Sequence, residues 1–111
     1  MRCFCENGEI VDLKVEGDFG ADPLWCNQCS CNLDIEEVPI SEGLKEELIR
    51  WSMQYGEWID WSKETLLPDG MEMEKEHNKL GQQLTQKVKM ELSTKYKVSF
   101  SPSSSARMYA G

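Results

Sequence analysis

The stretch Trp25-Cys26-Asn27-Gln28-Cys29-Ser30-Cys31-Asn32-Leu33 decides how this sequence is interpreted, because it holds three of the chain's five cysteines. The other two, Cys3 and Cys5, precede it by the length of a short hairpin, and no cysteine follows it. Two close groups of thiols separated by such an insert are the usual arrangement of a tetrahedral zinc site. We therefore predict a structural zinc bound by Cys3, Cys5, Cys26 and Cys29, with Cys31 as an alternative ligand.

Other interpretations of the cysteines stay open. The cluster is also compatible with another metal or an iron–sulfur centre, with reduced thiols that bind no metal, or with disulfides. An odd number of cysteines and the lack of an apolar signal-peptide core weigh against disulfides, and they favour a cytoplasmic protein. Four thiolates would fill the coordination shell of zinc, so we expect a structural metal and no metal-bound catalytic water.

The insert between the cysteine groups has the pattern of a β-hairpin. Residues 9–16 are rich in β-branched side chains and partly alternate, which predicts a strand. Residues 17–23 contain two glycines and a proline, which favour a turn. Leu24 and Trp25 then lead directly into Cys26, so we expect a short return strand that ends at the second cysteine group.

The stretch that begins at Trp25 resembles the second knuckle of a zinc ribbon, which commonly reads W-C-x-x-C-x-x-x-L. The resemblance implies that Cys26 and Cys29 are metal ligands and that Trp25 and Leu33 pack beneath the metal. It covers about residues 1–38 and suggests a small bacterial or phage protein. The sequence departs from the ribbon pattern in its C-x-C first knuckle, in Ser30 where glycine is common, and in the surplus Cys31.

The remainder of the chain predicts two helices. Ser41 is a suitable N-cap, and a stripe at helical spacing follows it: Leu44, Leu48, Trp51, Tyr55 and Trp58. Pro68 and Gly70 interrupt this pattern. A second helix is expected over about residues 72–94, with a stripe of Met73, His77, Leu80, Leu84, Val88 and Leu92.

Residues 96–101 alternate strictly between polar and apolar side chains, which predicts a C-terminal strand. The predicted fold class is therefore α+β, with an N-terminal zinc-ribbon-like β-hairpin followed by two α-helices and a C-terminal β-strand. We divide the chain into the hairpin (1–38), a helix-helix-strand unit (41–101) and a flexible tail (102–111).

Charge and missing motifs restrict the function. The net charge is −8, and most acidic residues lie in residues 1–62, so binding to nucleic acid through this half is disfavoured. No apolar run is long enough to span a membrane. No phosphate-binding glycine loop, serine-hydrolase elbow or metalloprotease motif is present. His77, the only histidine, is interpreted as a residue at the edge of the core, since no nucleophile is paired with it.

We therefore expect no enzyme but a zinc-stabilised cytoplasmic module that binds another protein, in a regulatory or inhibitory role. The candidate partner-binding residues are the aromatic residues Trp51, Tyr55, Trp58 and Trp61, although core packing also explains them. One alternative is a nucleic-acid-binding or transcription-related zinc-ribbon protein that uses Lys87, Lys89, Lys95 and Lys97. Another is a thiol-based redox sensor that uses Cys31.

Overall fold

The computed structural model describes residues 12–92, 94 and 96–109. The predictions for Cys3 and Cys5 thus lie outside the described residues. Within these residues the chain forms five strands and three α-helices, in the order β1 (Asp12–Val15), β2 (Leu24–Cys26), α1 (Glu42–Met53), β3 (Ile59–Asp60), β4 (Thr65–Leu66), α2 (Gly70–Glu91), β5 (Lys97–Phe100) and α3 (Ser105–Tyr109). The α+β class is confirmed.

The larger sheet is mixed, with the strand order β2-β1-β5. Strands β1 and β2 form the predicted antiparallel hairpin, in which Lys14 lies opposite Trp25. Strand β5 pairs with β1 in parallel, with Leu13 opposite Val98. A parallel pair needs a long crossover connection, and here the two main helices lie within that connection. The chain therefore returns to its own hairpin to complete the sheet.

Helix α1 begins where the sequence predicts. The hydroxyl of Ser41 accepts a hydrogen bond from the backbone N–H of Leu44, at 3.2 Å, which is the usual N-cap arrangement. The carboxylate of Glu91 accepts from the backbone N–H of Ser41 at 2.6 Å and from its hydroxyl at 2.9 Å. These two hydrogen bonds thus connect the N-terminus of α1 to the last turn of α2.

The end of α1 differs from the prediction. We expected one helical stripe through Tyr55 and Trp58, but the helix ends at Met53. Gly56 has a φ of +85°, a conformation that glycine adopts easily and that commonly ends helices. A Cβ at this position would also lie 2.4 Å from the ring of Phe19. The chain therefore turns at Gly56, and Trp58 precedes the short hairpin β3–β4 instead of lying on a helix.

One continuous core joins the hairpin to the helices. It contains Leu13 and Leu24 from the hairpin, Leu48 and Trp51 from α1, and Leu84 and Val88 from α2, together with Val98 from β5. Strands β1 and β2 thus share their apolar side chains with the same core as the helices. Residues on both sides of the predicted boundary between the hairpin unit and the helix-helix-strand unit contribute to this core, and the division into units stays a prediction.

A second, smaller cluster includes residues from the segment that we expected to be a flexible tail. Ala106 of α3 is fully buried with Trp58 and Ile59. The backbone N–H of Ala106 donates to the buried carboxylate of Glu74 at 2.9 Å, and the hydroxyl of Ser103 donates to the same oxygen at 2.8 Å. These contacts fix residues 103–106 against α2, and composition alone does not reveal them.

Candidate partner-binding groove and cysteine loop

The structure brings together three of the predicted metal ligands. Residues 26–31, which begin at the last residue of β2, form a loop that we call the cysteine loop. The sulfur atoms of Cys26, Cys29 and Cys31 all lie within 4.8 Å of one another. Cys26 is buried, Cys31 is half-buried and Cys29 is exposed. The arrangement thus includes Cys31, which the sequence analysis offered only as an alternative ligand, and it brings three sulfur donors close together.

Backbone hydrogen bonds close the cysteine loop. The N–H of Cys26 donates to the carbonyl of Cys31 at 3.0 Å, and the N–H of Ser30 donates to the carbonyl of Cys26 at 2.8 Å. Ser30 has a φ of +63°, in the left-handed region where glycine is favoured. Of the two residues expected to pack beneath a metal, Leu33 is buried in the core, whereas Trp25 is half-buried and donates to the carbonyl of Glu16.

The four aromatic residues predicted to bind a partner have different positions. Trp51 and Trp58 are each only 1% exposed, so their side chains lie in the interior. The indole N–H of Trp51 donates to the carbonyl of His77 at 2.9 Å, and that of Trp58 donates to the hydroxyl of Ser105 at 3.1 Å. Both indoles therefore act as packing residues with satisfied polar groups.

Tyr55 and Trp61 contribute to an aromatic cluster nearer the surface. The ring of Phe19 contacts the edges of Tyr55 and Trp61, with centroids 4.8 and 5.0 Å away. Trp61 also contacts Tyr109 at 5.5 Å. Phe19 is 55% exposed and Trp61 is 46% exposed. Of the predicted partner-binding residues, Trp61 is thus the one with substantial exposed aromatic surface.

His77 is buried against the interior tryptophans. Its ring stacks on that of Trp51 with a centroid distance of 4.5 Å and lies 5.0 Å from that of Trp58. Within the part of the chain that the structure describes, its buried Nδ1 atom has no hydrogen-bond partner. Burial lowers the pKa of His77 from 6.5 to about 4, and the carboxylate of Glu74 opposes this only in part. The ring is therefore neutral at pH 7.

An acidic groove lies between the end of α1 and the first half of α2. Its volume is about 660 Å³, which is within the range of pockets that hold a small ligand or a few side chains. Its rim carries four carboxylates, those of Glu57, Asp69, Glu72 and Glu76. Met73 and Leu80 add accessible apolar surface, whereas Trp58 and His77, which also line the groove, are almost fully buried. The acidic groove thus combines negative charge with surface that a partner can bury.

Lysines reduce the negative charge of the groove only in part. Lys79 lies on its lining, and Lys75 forms an exposed ion pair with Glu72 at 3.7 Å. Exposed pairs of this kind contribute little free energy. Glu57 and Glu76 have no ion pair within the described residues. The groove therefore keeps a negative potential that favours a positively charged partner.

Sequence reasoning missed this groove. It treated the acidic residues as a solvated helix face and as charges that complement the helix dipole. A signal was nevertheless present, because Glu72, Glu76 and Leu80 recur at intervals of four residues and therefore share one face of α2. Asp69 and Glu57 join that face only through the turn at Gly56 and the β3–β4 hairpin, which the sequence pattern did not predict.

The late lysines do not form a simple basic patch. Lys87 forms an ion pair with Glu47 of α1 at 2.9 Å. Lys89 and Lys97 are exposed, and Lys95 lies outside the described residues. In residues 12–92, 94 and 96–109, no helix has both the length and the apolar character needed to cross a bilayer.

Comparison with known proteins identifies a family. A family profile described as Serratia CdiI immunity protein-like matches residues 11–103, a range that includes the whole larger core and the whole acidic groove. No curated protein matches the chain. This family is not a zinc-ribbon family. The resemblance of residues 1–38 to a zinc ribbon therefore does not reflect the family to which the chain belongs. With the match extending over most of its length, the chain belongs to the Serratia CdiI immunity protein-like family.

Proposed function

We propose that this protein is an immunity protein that binds a toxin protein and blocks its activity. Membership in an immunity protein-like family supports a protein partner and an inhibitory role. The net charge of −8 supports a basic partner, because opposite charge accelerates association and disfavours wrong partners. The single structural observation that supports the proposal is the acidic groove, which is the surface where we expect the partner to bind.

The acidic groove suits the side chains of a basic protein. Long lysine or arginine side chains have apolar stems and charged ends. Met73 and Leu80 can contact such stems, while the carboxylates of Glu57 and Glu76 face the charged ends. Leu80 is 39% exposed, so a partner would bury new apolar area at this point. Apolar anchors surrounded by a charged rim are the usual arrangement of protein interfaces.

The aromatic cluster is a second region that a partner can cover. Trp61 and Phe19 are partly exposed, and tryptophan is enriched among residues that dominate binding energy. Trp58 lines the acidic groove, and its ring lies 5.4 Å from that of Tyr55 in the aromatic cluster. We therefore expect the interface to be centred on the groove and to reach Trp61 at its margin.

Site-specific photocrosslinking in the native host tests this function. A photoreactive amino acid at Leu80 in the groove should form a covalent adduct with one protein. The same amino acid at Glu46, an exposed position on α1 outside the groove lining, is the control. The captured protein should arrest growth when it is produced alone, and co-production of this chain should restore growth.

Two outcomes would contradict the proposal. One is equal labelling of the captured protein from Leu80 and from Glu46, which would mean that the groove is not the contact surface. The other is a captured protein that is harmless when produced alone, since an immunity protein needs a toxic partner.

A further inference from the structure

The cysteine loop is a feature that the proposed function does not use. None of its residues lines the acidic groove. Its three sulfur atoms lie within 4.8 Å of one another, although the loop contains only six residues. In a tetrahedral zinc site with Zn–S bonds of about 2.3 Å, neighbouring sulfur atoms are about 3.8 Å apart. The observed spacing therefore needs only a small contraction to fit around one ion.

The loop backbone favours this convergence of side chains. Cys26 ends a strand that is hydrogen-bonded to β1, and its N–H and carbonyl both bond within the loop. The N–H of Asn27 donates to the carbonyl of Asp12 at 2.9 Å, and its side-chain amide donates to the carboxylate of Asp12 at 3.1 Å. The left-handed conformation of Ser30 then reverses the chain between Cys29 and Cys31. Hydrogen bonds to β1 and within the loop thus hold the backbone that positions the three sulfur atoms.

We infer that Cys26, Cys29 and Cys31 are three ligands of a structural zinc ion, with Cys31 as a ligand and not a surplus thiol. Zinc favours four-coordinate sites rich in thiolate. This set matches the alternative in which Cys31 replaces one N-terminal thiol, and Cys3 and Cys5, which lie outside the described residues, are the candidates for the fourth ligand. Binding releases the thiol protons to solvent, so affinity falls as the pH falls. The ion closes the loop at the edge of β2 and has no role in partner binding through the groove.

Metal content measured on the purified full chain tests the inference. The chain is prepared with a thiol reductant, supplied with zinc sulfate, desalted and analysed for zinc by mass spectrometry. We expect one zinc ion per chain. We expect Cys29→Ser and Cys31→Ser each to lose most of this zinc, and both positions are accessible enough for serine to be tolerated. Ser30→Gly is the matched control, because glycine suits the positive φ, and it should keep the full zinc content.

Further variants and outcomes complete the test. Loss of zinc in only one of Cys3→Ser and Cys5→Ser would identify the fourth ligand. Full zinc content in Cys31→Ser would overturn the assignment of Cys31. Absence of zinc from the wild-type chain, binding of iron in its place, or a disulfide among the three cysteines after purification under reductant would overturn the site itself. Folding of each variant is checked by circular dichroism.

Discussion

Lowering the pH from 7 to 5 should destabilise this protein by about 2 kcal/mol through His77 alone. The folded state holds the pKa of His77 at about 4, below the ordinary value of 6.5, because the ring is buried. Between these two values the unfolded chain binds one more proton than the folded chain. The free energy of unfolding then falls by up to about 1.4 kcal/mol per pH unit.

The sign follows from the direction of the shift. A histidine with a lowered pKa contributes no penalty above pH 6.5, and stability is lost as the pH falls through that value toward 4. Below pH 4 the folded protein also takes up the proton, and the loss levels off at about 3 kcal/mol. The rings of Trp51 and Trp58, with centroids 4.5 and 5.0 Å from that of His77, contribute to this burial.

Urea denaturation followed by tryptophan fluorescence at pH 7 and pH 5 measures this effect. His77→Phe keeps an aromatic ring against Trp51 and removes the titrating group, and His77→Leu serves as a second variant if phenylalanine does not fit. Because His77 is the chain's only histidine, the wild type should lose about 2 kcal/mol more than either variant. An equal loss in wild type and variants would refute the argument from burial.

Two further predictions concern packing and helix capping. Gly81→Ala should destabilise the protein by about 1–2 kcal/mol, because a Cβ there would lie 2.4 Å from the ring of Phe100 and 2.7 Å from that of the buried Trp51. A Cβ added at Gly43 of α1 would have no tertiary neighbour within 4 Å, so Gly43→Ala should instead stabilise the protein by up to about 1 kcal/mol. Urea titrations of both variants measure these opposite signs, and equal changes in the free energy of unfolding would contradict the packing argument. Ser41→Ala should cost about 1 kcal/mol through loss of the N-cap bond to Leu44; an unchanged midpoint of thermal unfolding would contradict this.

Local signals predicted the hairpin, the two longer helices and β5, but they did not predict β3, β4 or α3. Ser41 indicated the start of α1, and alternation in residues 96–101 indicated β5. The sequence left open whether β5 pairs with the hairpin or with another edge, because a strand's partner depends on contacts between residues far apart in sequence. The end of α1 was also missed. Aromatic residues at helical spacing continue past Gly56, which predicted a longer helix. The chain instead leaves the helix after Met53 and turns at Gly56, where φ is positive.

The candidate sites were predictable to different degrees. Cysteine spacing pointed to the loop at residues 26–31, since thiols that share a site lie close together in sequence. Whether the loop binds zinc stays a prediction. The acidic groove was harder to anticipate, because Glu57 lies in the turn after α1 and Glu76 lies on α2, and the two come together only in the folded chain. Burial of Trp51 and Trp58 likewise follows from tertiary packing, and sequence alone could not separate core indoles from surface ones.

The most direct test of the central claim is the affinity of the crosslinked partner protein for two charge-reversed variants, measured by isothermal titration calorimetry. Glu76→Lys changes the acidic groove, whereas Glu46→Lys makes the same change of charge at an exposed position outside it. Both substitutions should alter the free energy of unfolding by less than about 0.5 kcal/mol. The account predicts that Glu76→Lys weakens binding at least about tenfold, which corresponds to about 1.4 kcal/mol, while Glu46→Lys binds like the wild type. Equal affinities for the two variants would contradict it.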